Sequence, residues 1–169
     1  MALLVGQKTI VSEKRLIDQL RQKGFGELKE KRLVLDLCEA LYLLEKGKIE
    51  LADSDEKKIS DEAFLKLACK KEKNFYPKFL VYKDLREKGY CVKTGFKFGF
   101  DLRVYPRGKK PGEEHTQWVV KIAEQSKRIS MPEYSRMVRL AQNLNTLPLF
   151  AIIDSENDIN YYETKRILP

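Results

Sequence analysis

One histidine, one tryptophan and three cysteines stand among 169 residues, and these scarcities exclude several chemistries. Structural zinc is held by clustered cysteine and histidine. Cys38, Cys69 and Cys91 lie far apart with no CxxC pair, which argues against such a site. Their odd number and hydrophobic surroundings read as buried, reduced thiols of a cytoplasmic protein rather than a disulfide framework. No apolar run is long enough to span a bilayer. The opening MALLVGQK is too short an apolar stretch for a secretion signal. Internal repeats and low-complexity segments are also missing.

What is present is a globular balance, 43% hydrophobic and 34% charged, with enough chain to bury a core in one large or two small domains. The net charge is +8, and six of those units fall from Pro77 onward. Such an excess suggests an anionic partner, although basic surfaces are common among globular proteins.

The stretch from Phe96 to Ala123, FKFGFDLRVYPRGKKPGEEHTQWVVKIA, organises the rest. Phe98, Phe100, Leu102 and Val104 alternate with Gly99, Asp101, Arg103 and Tyr105, the period of a half-buried strand. Pro106 to Glu114 has turn chemistry and no apolar residue. Gln117 to Ile122 resumes a β-rich run containing Trp118. Tyr105 therefore ends one strand and His115 opens the next, both flanking one loop at the same edge of a sheet. Two unrelated surface residues would give the same pattern.

In the first half, the pattern predicts a helix over 15–23 with Ser12 as N-cap, then a strand Arg32–Leu35. Asp36 caps a helix Leu37–Lys46, and a brief strand Lys48–Leu51 and a polar turn 52–58 follow. Ser60 caps a further helix to about Lys71. A boundary falls near the polar run 70–74, giving domains 1–73 and 74–169. Beyond it come a helix from Phe75 to about Lys88, a strand Cys91–Thr94 and the central strands. A helix Glu133–Asn143 is capped by Ser130 with Pro132 in its first turn. The apolar run Leu149–Ile153 marks a strand buried on both faces, and a turn 154–158 leads into a last strand 159–167. The fold class is α+β: a small mixed α/β domain, then a mixed β-sheet flanked by helices.

The second half resembles the C-terminal domain of archaeal tRNA-splicing endonucleases (tRNA-intron lyases). The resemblance rests on FLVYKDLREKGYCVKTGFKFGFDLRVYPRG, on His115 with nine residues between it and Tyr105, on MVRLA, and on FAIIDSENDINYY. It extends through GFGELKEKRLVLDLCEALYLLEKGKIEL into the first half and so covers nearly the whole chain. It implies cleavage of precursor tRNA at the two bulges of a bulge-helix-bulge element. The products would be a 2′,3′-cyclic phosphate and a 5′-hydroxyl, made without a metal or other cofactor. By resemblance Tyr105 is the base for the 2′-hydroxyl and His115 the acid for the leaving 5′-oxygen. A phenol is a weak base at neutral pH, so Tyr105 would need cations such as Arg107 or Lys109 beside it.

The family also uses a lysine just after the last helix, and Thr146 stands at that place. Three explanations compete: an impaired RNA-binding subunit of a mixed assembly, a substitute cation such as Lys121 or Lys127, or an altered but active enzyme. Arg139 matches an arginine that stacks on a flipped-out bulge base, and a residue of the last strand could be its partner. The acidic turn, with Asp154, Glu156 and Asp158, matches a loop that inserts into a basic groove of another subunit. The resemblance therefore implies a homo- or hetero-tetramer. A different class, the metal-dependent nuclease, finds Asp101 and Lys121 but no second carboxylate at Val119 or Val120.

Overall fold

The computed structural model describes residues 1–95 and 99–169, and it divides into two compact units, Met1–Phe79 and Leu80–Pro169. Among the described residues, no helix is long and apolar enough to cross a membrane.

The first unit is a six-stranded sheet with three helices. Its strands are β1 (Ala2–Val5), β2 (Lys8–Val11), β3 (Glu27–Lys29), β4 (Arg32–Leu35), β5 (Leu51–Ala52) and β6 (Lys58–Ile59), in the order β3-β4-β2-β1-β5-β6. Only β1 and β5 run parallel. The helices are α1 (Lys14–Gln22), α2 (Leu37–Glu45) and α3 (Asp61–Lys71). Val11, Leu33, Leu35, Leu41 and Phe64 are fully buried. Asp36 and Glu39 form a capping box on α2: Glu39 N–H donates to Asp36 Oδ1 at 2.8 Å, and Asp36 N–H donates to Glu39 Oε2 at 3.1 Å. Glu39 Oε1 also accepts Gly26 N–H at 2.9 Å, so a carboxylate only 2% exposed is used by backbone donors.

Several local expectations need correction. The sequence pattern does not predict the hairpin β1–β2, which turns at Gly6, whose φ of 62° an L side chain rarely adopts. α1 is preceded by Glu13, not capped by Ser12, and Glu13 makes no side-chain cap bond. The strand expected at Lys48–Leu51 is the two-residue β5, and the supposed polar turn returns as β6. Cys38 and Cys91 are buried, but Cys69 is exposed on α3.

The division between the units falls within α4 (Phe75–Glu87). The second unit contains β7 (Cys91–Thr94), β8 (Leu102–Tyr105), β9 (Trp118–Glu124), α5 (Met131–Asn143), β10 (Leu147–Ile153) and β11 (Ile159–Glu163). Its sheet order is β11-β10-β9-β8-β7, antiparallel except for the β9–β10 pair, which α5 connects. Phe100, Val119, Met137, Ala141 and Phe150 form a core on the α5 side. Burying each of the larger side chains contributes about 1.5–3 kcal/mol. Ser130 caps α5 through Glu133 N–H at 3.3 Å, as its sequence suggests.

The central strand is shorter than its alternation predicts. β8 begins at Leu102; Phe98 lies outside the described residues, and Phe100 is buried ahead of the strand. β11 stops at Glu163 instead of Ile167. Thr164 N–H still donates to Pro148 O at 3.1 Å, but proline has no N–H to return the bond, and the ladder ends there.

Candidate active site

Three strand ends meet at Gln117. Its N–H donates to Val104 O at 2.8 Å, and its carbonyl accepts Leu147 N–H at 3.3 Å and the Thr146 hydroxyl at 3.0 Å. The C-terminal end of β8 and the starts of β9 and β10 therefore lie side by side at one end of the sheet. Tyr105 is the last residue of β8, paired with Cys91 and only 6% exposed. His115 is exposed, three residues before β9, and its N–H donates to Glu114 Oε1 at 3.2 Å. The structure thus brings Tyr105, the His115 loop and Thr146 to one end of the sheet. Gln117, which joins them, carries no signal in the sequence; only strand pairing exposes it.

The loop between Tyr105 and His115 is built from short turns. Lys109 N–H donates to Pro106 O, and Glu113 N–H to Lys110 O, both at 3.0 Å. Lys110 pairs with Glu113 at 3.4 Å. Arg107 sits over the Tyr90 ring at 4.9 Å, and Tyr90 meets Trp118 edge-on at 5.3 Å. Trp118 Nε1–H donates to Glu163 Oε2 at 2.7 Å, which ties β9 to the end of β11.

Thr146 is buried, at 7% exposure. It follows α5 in a Schellman ending: Asn145, at φ 52°, donates its N–H to Gln142 O, and Thr146 N–H donates to Ala141 O. Arg139 is exposed on α5, seven residues earlier. The two cations considered as substitutes for a lysine lie elsewhere. Lys121, inside β9, approaches Gly99 O at 3.4 Å and Asp101 at 3.9 Å. Lys127 lies beyond the far end of β9. Asp101 accepts Ile122 N–H at 2.8 Å. Exposed Lys165 and Arg166 leave β11 at the end that holds Thr146.

The acidic turn occupies the opposite end of the sheet, after β10. A strand rises about 3.3 Å per residue, so seven residues hold turn and site about 20 Å apart. Asp154 Oδ1 accepts the N–H groups of Glu156 and Asp158, each at 2.9 Å, which leaves Glu156 and Asp158 as the exposed charges. On β11, the Tyr161 hydroxyl donates to Asp84 Oδ2 at 2.7 Å. Burial first, and that bond second, hold its proton well above the usual phenol range. Tyr162, next along, is 58% exposed.

Comparison with known proteins gives consistent similarities over both units. Residues 75–161 match the family described as tRNA intron endonuclease, catalytic C-terminal domain, and residues 1–65 match its N-terminal domain. The chain is 42% identical to the tRNA-splicing endonuclease of Methanothermobacter thermautotrophicus over 145 residues, 86% of this chain and 84% of that one. It is 39% identical to that of Pyrococcus furiosus over 163 residues, 96% and 93% of the two chains. With the tRNA-splicing endonuclease of Methanococcus maripaludis the identity is 34% over 161 residues, 95% and 90%.

Proposed function

Since the chain belongs to the tRNA intron endonuclease family, we propose that it cuts precursor tRNA at the two bulges of a bulge-helix-bulge element. Tyr105 removes the proton of a 2′-hydroxyl, whose oxygen attacks the adjacent phosphorus. The bond from phosphorus to the 5′-oxygen breaks, and His115 protonates that oxygen as it leaves. The products are a 2′,3′-cyclic phosphate and a 5′-hydroxyl. Both proton transfers are supplied by side chains, so the reaction needs no metal. The observation that carries this reading is the meeting of three strand ends on Gln117, which brings a phenol and the loop of an imidazole to one sheet end.

Arg139 is exposed on α5, where its planar guanidinium can stack on an unpaired bulge base. The acidic turn lies about 20 Å from its own site; by the family resemblance its charges serve a second copy or a related subunit, and the working assembly is a tetramer. A second reading is favoured by Thr146, which is uncharged and hydrogen-bonded to Gln117 O. In it the chain is a catalytically impaired, RNA-binding subunit of a mixed endonuclease.

The deciding experiment incubates the purified chain with a bulge-helix-bulge RNA in EDTA and identifies the product ends. Cyclic phosphate ends are expected, and His115→Ala should slow the cut by about 10²–10⁴-fold, the usual worth of a positioned acid. Undiminished activity of His115→Ala, or an absolute need for magnesium, would end the catalytic reading. Binding without cutting would leave the impaired subunit.

A further inference from the structure

The strand registers set one row of residues across the sheet end that holds Tyr105. Extending the β8–β9 and β9–β10 pairings by one residue each puts Tyr105 beside Gln117 and Gln117 beside Thr146. On the last strand, Leu149 is opposite Glu163, and Thr164 N–H donates to Pro148 O at 3.1 Å. The same register carried two residues further brings Arg166 level with Thr146. Neighbouring strands lie about 4.8 Å apart, so the positions of Tyr105 and Arg166 stand about 14 Å apart, with Gln117 and Thr146 between them.

The row faces the α5 side. Tyr105 alternates with Arg103, which is opposite Val119 of the core, and Thr146 is two residues before Pro148, also opposite Val119. Thr164 shares that side, because Tyr134 of α5 stacks on Phe150 and donates its hydroxyl to Thr164 Oγ1 at 3.4 Å. Alternation returns Arg166 to this face and sends Lys165 to the other. Gln117 is neutral, and the buried Thr146 spends its hydroxyl on Gln117 O. Arg166 is exposed and forms no ion pair among the described residues.

Attack by a 2′-oxygen builds negative charge on the non-bridging oxygens of the phosphate, and a fixed cation there stabilises the transition state. We propose that Arg166 is that cation. Its guanidinium donates N–H bonds to the non-bridging oxygens from the end of the row opposite Tyr105. The role rests on the reaction proposed above, in which Tyr105 and His115 move the protons; Arg166 stays protonated throughout.

The test is single-turnover cleavage of saturating bulge-helix-bulge RNA in EDTA, beside affinity for the same RNA with 2′-deoxy residues at the cuts. Arg166→Ala should slow cleavage by about 10²–10³-fold, the usual worth of one donor to a developing oxyanion. Its affinity should fall far less, and its thermal midpoint should match the parent's, since Arg166 lies beyond the last strand. Arg166→Lys should keep part of the rate. Thr146→Lys added to Arg166→Ala should restore part of it, by returning a cation to the neighbouring place in the row. Lys165→Ala, on the other face, should cut close to the parent rate. An Arg166→Ala chain as fast as the parent would overturn the proposal. Equal losses of rate and affinity, or a smaller particle by light scattering, would also overturn it, by making Arg166 a binding or assembly residue. A parent that does not cut would defeat the proposed reaction and this role together, whereas a cutting parent with an equally active Arg166→Ala would defeat this role alone.

Discussion

Thr146 shows how one side chain can look like a defect in a sequence and a joint in a structure. From the sequence it was legible only as a missing charge. Its hydroxyl bond to Gln117 O depends on the parallel pairing of β9 with β10, residues 29 apart in the chain, and no local pattern encodes that register. Thr146→Val keeps the shape and removes the bond, and should cost about 1 kcal/mol, lowering the melting temperature by a few degrees with little effect on cleavage. Thr146→Lys loses the same bond, but its long stem can carry an ammonium group out of the buried position. If positive charge is what the site lacks, this variant should melt lower and yet cut faster under saturating RNA. A melting loss without a rate gain would move the missing cation elsewhere, with Lys165 and Arg166 among the exposed charges at that sheet end.

At the level of elements, helices are more legible in the sequence than strands, for a physical reason. The caps of α2, α3 and α5 are local: Asp36, Ser60 and Ser130 each bond an N–H three residues on. The hairpin β1–β2 is illegible in the sequence because ALLV is a short apolar run without alternation, and β3 and β6 are too short for any period. The end of β11 was set by a proline on its neighbour, which β11's own residues do not reveal. The same dependence on neighbours makes α2 a good place to test the fold. Glu39 serves Gly26 N–H as well as the capping box. Glu39→Ala should take an acceptor from two backbone donors and cost about 2–6 kcal/mol in urea unfolding, counting 1–3 for each. Glu39→Gln keeps one accepting oxygen and should cost less. A loss below about 1 kcal/mol for Glu39→Ala would mean that the carboxylate is not the cap's working part.

For the whole molecule, the family and α+β class were legible because motifs such as YKDLR and FAIIDSENDINYY run continuously along the chain, whereas the candidate site assembles from three separated segments. The same sheet that gathers those segments holds the acidic turn at its other end, and the expectation of assembly rests on the family resemblance of that turn. The turn's geometry refines the experiment. Asp154 shapes the turn and should be kept; Glu156→Lys with Asp158→Lys changes its outward charge. Light scattering should give a tetramer for the parent chain and a smaller particle for this double variant, with cleavage reduced in parallel. A monomeric parent, or an intact tetramer after charge reversal, would rule out the arrangement.

The link from Tyr90 through Trp118 to Glu163 has a consequence for watching the second unit fold. Its indole is the chain's one tryptophan, and it touches the residue before the first strand of the sheet and the last residue of the final strand. Emission from that single fluorophore therefore reports closure of the sheet across its full width. The parallel β9–β10 pair must close a long connection before its contacts form, a slow kind of step. In refolding, the late change in Trp118 emission should coincide with assembly of the sheet end that holds Tyr105 and Thr146, and helix signals should arrive earlier.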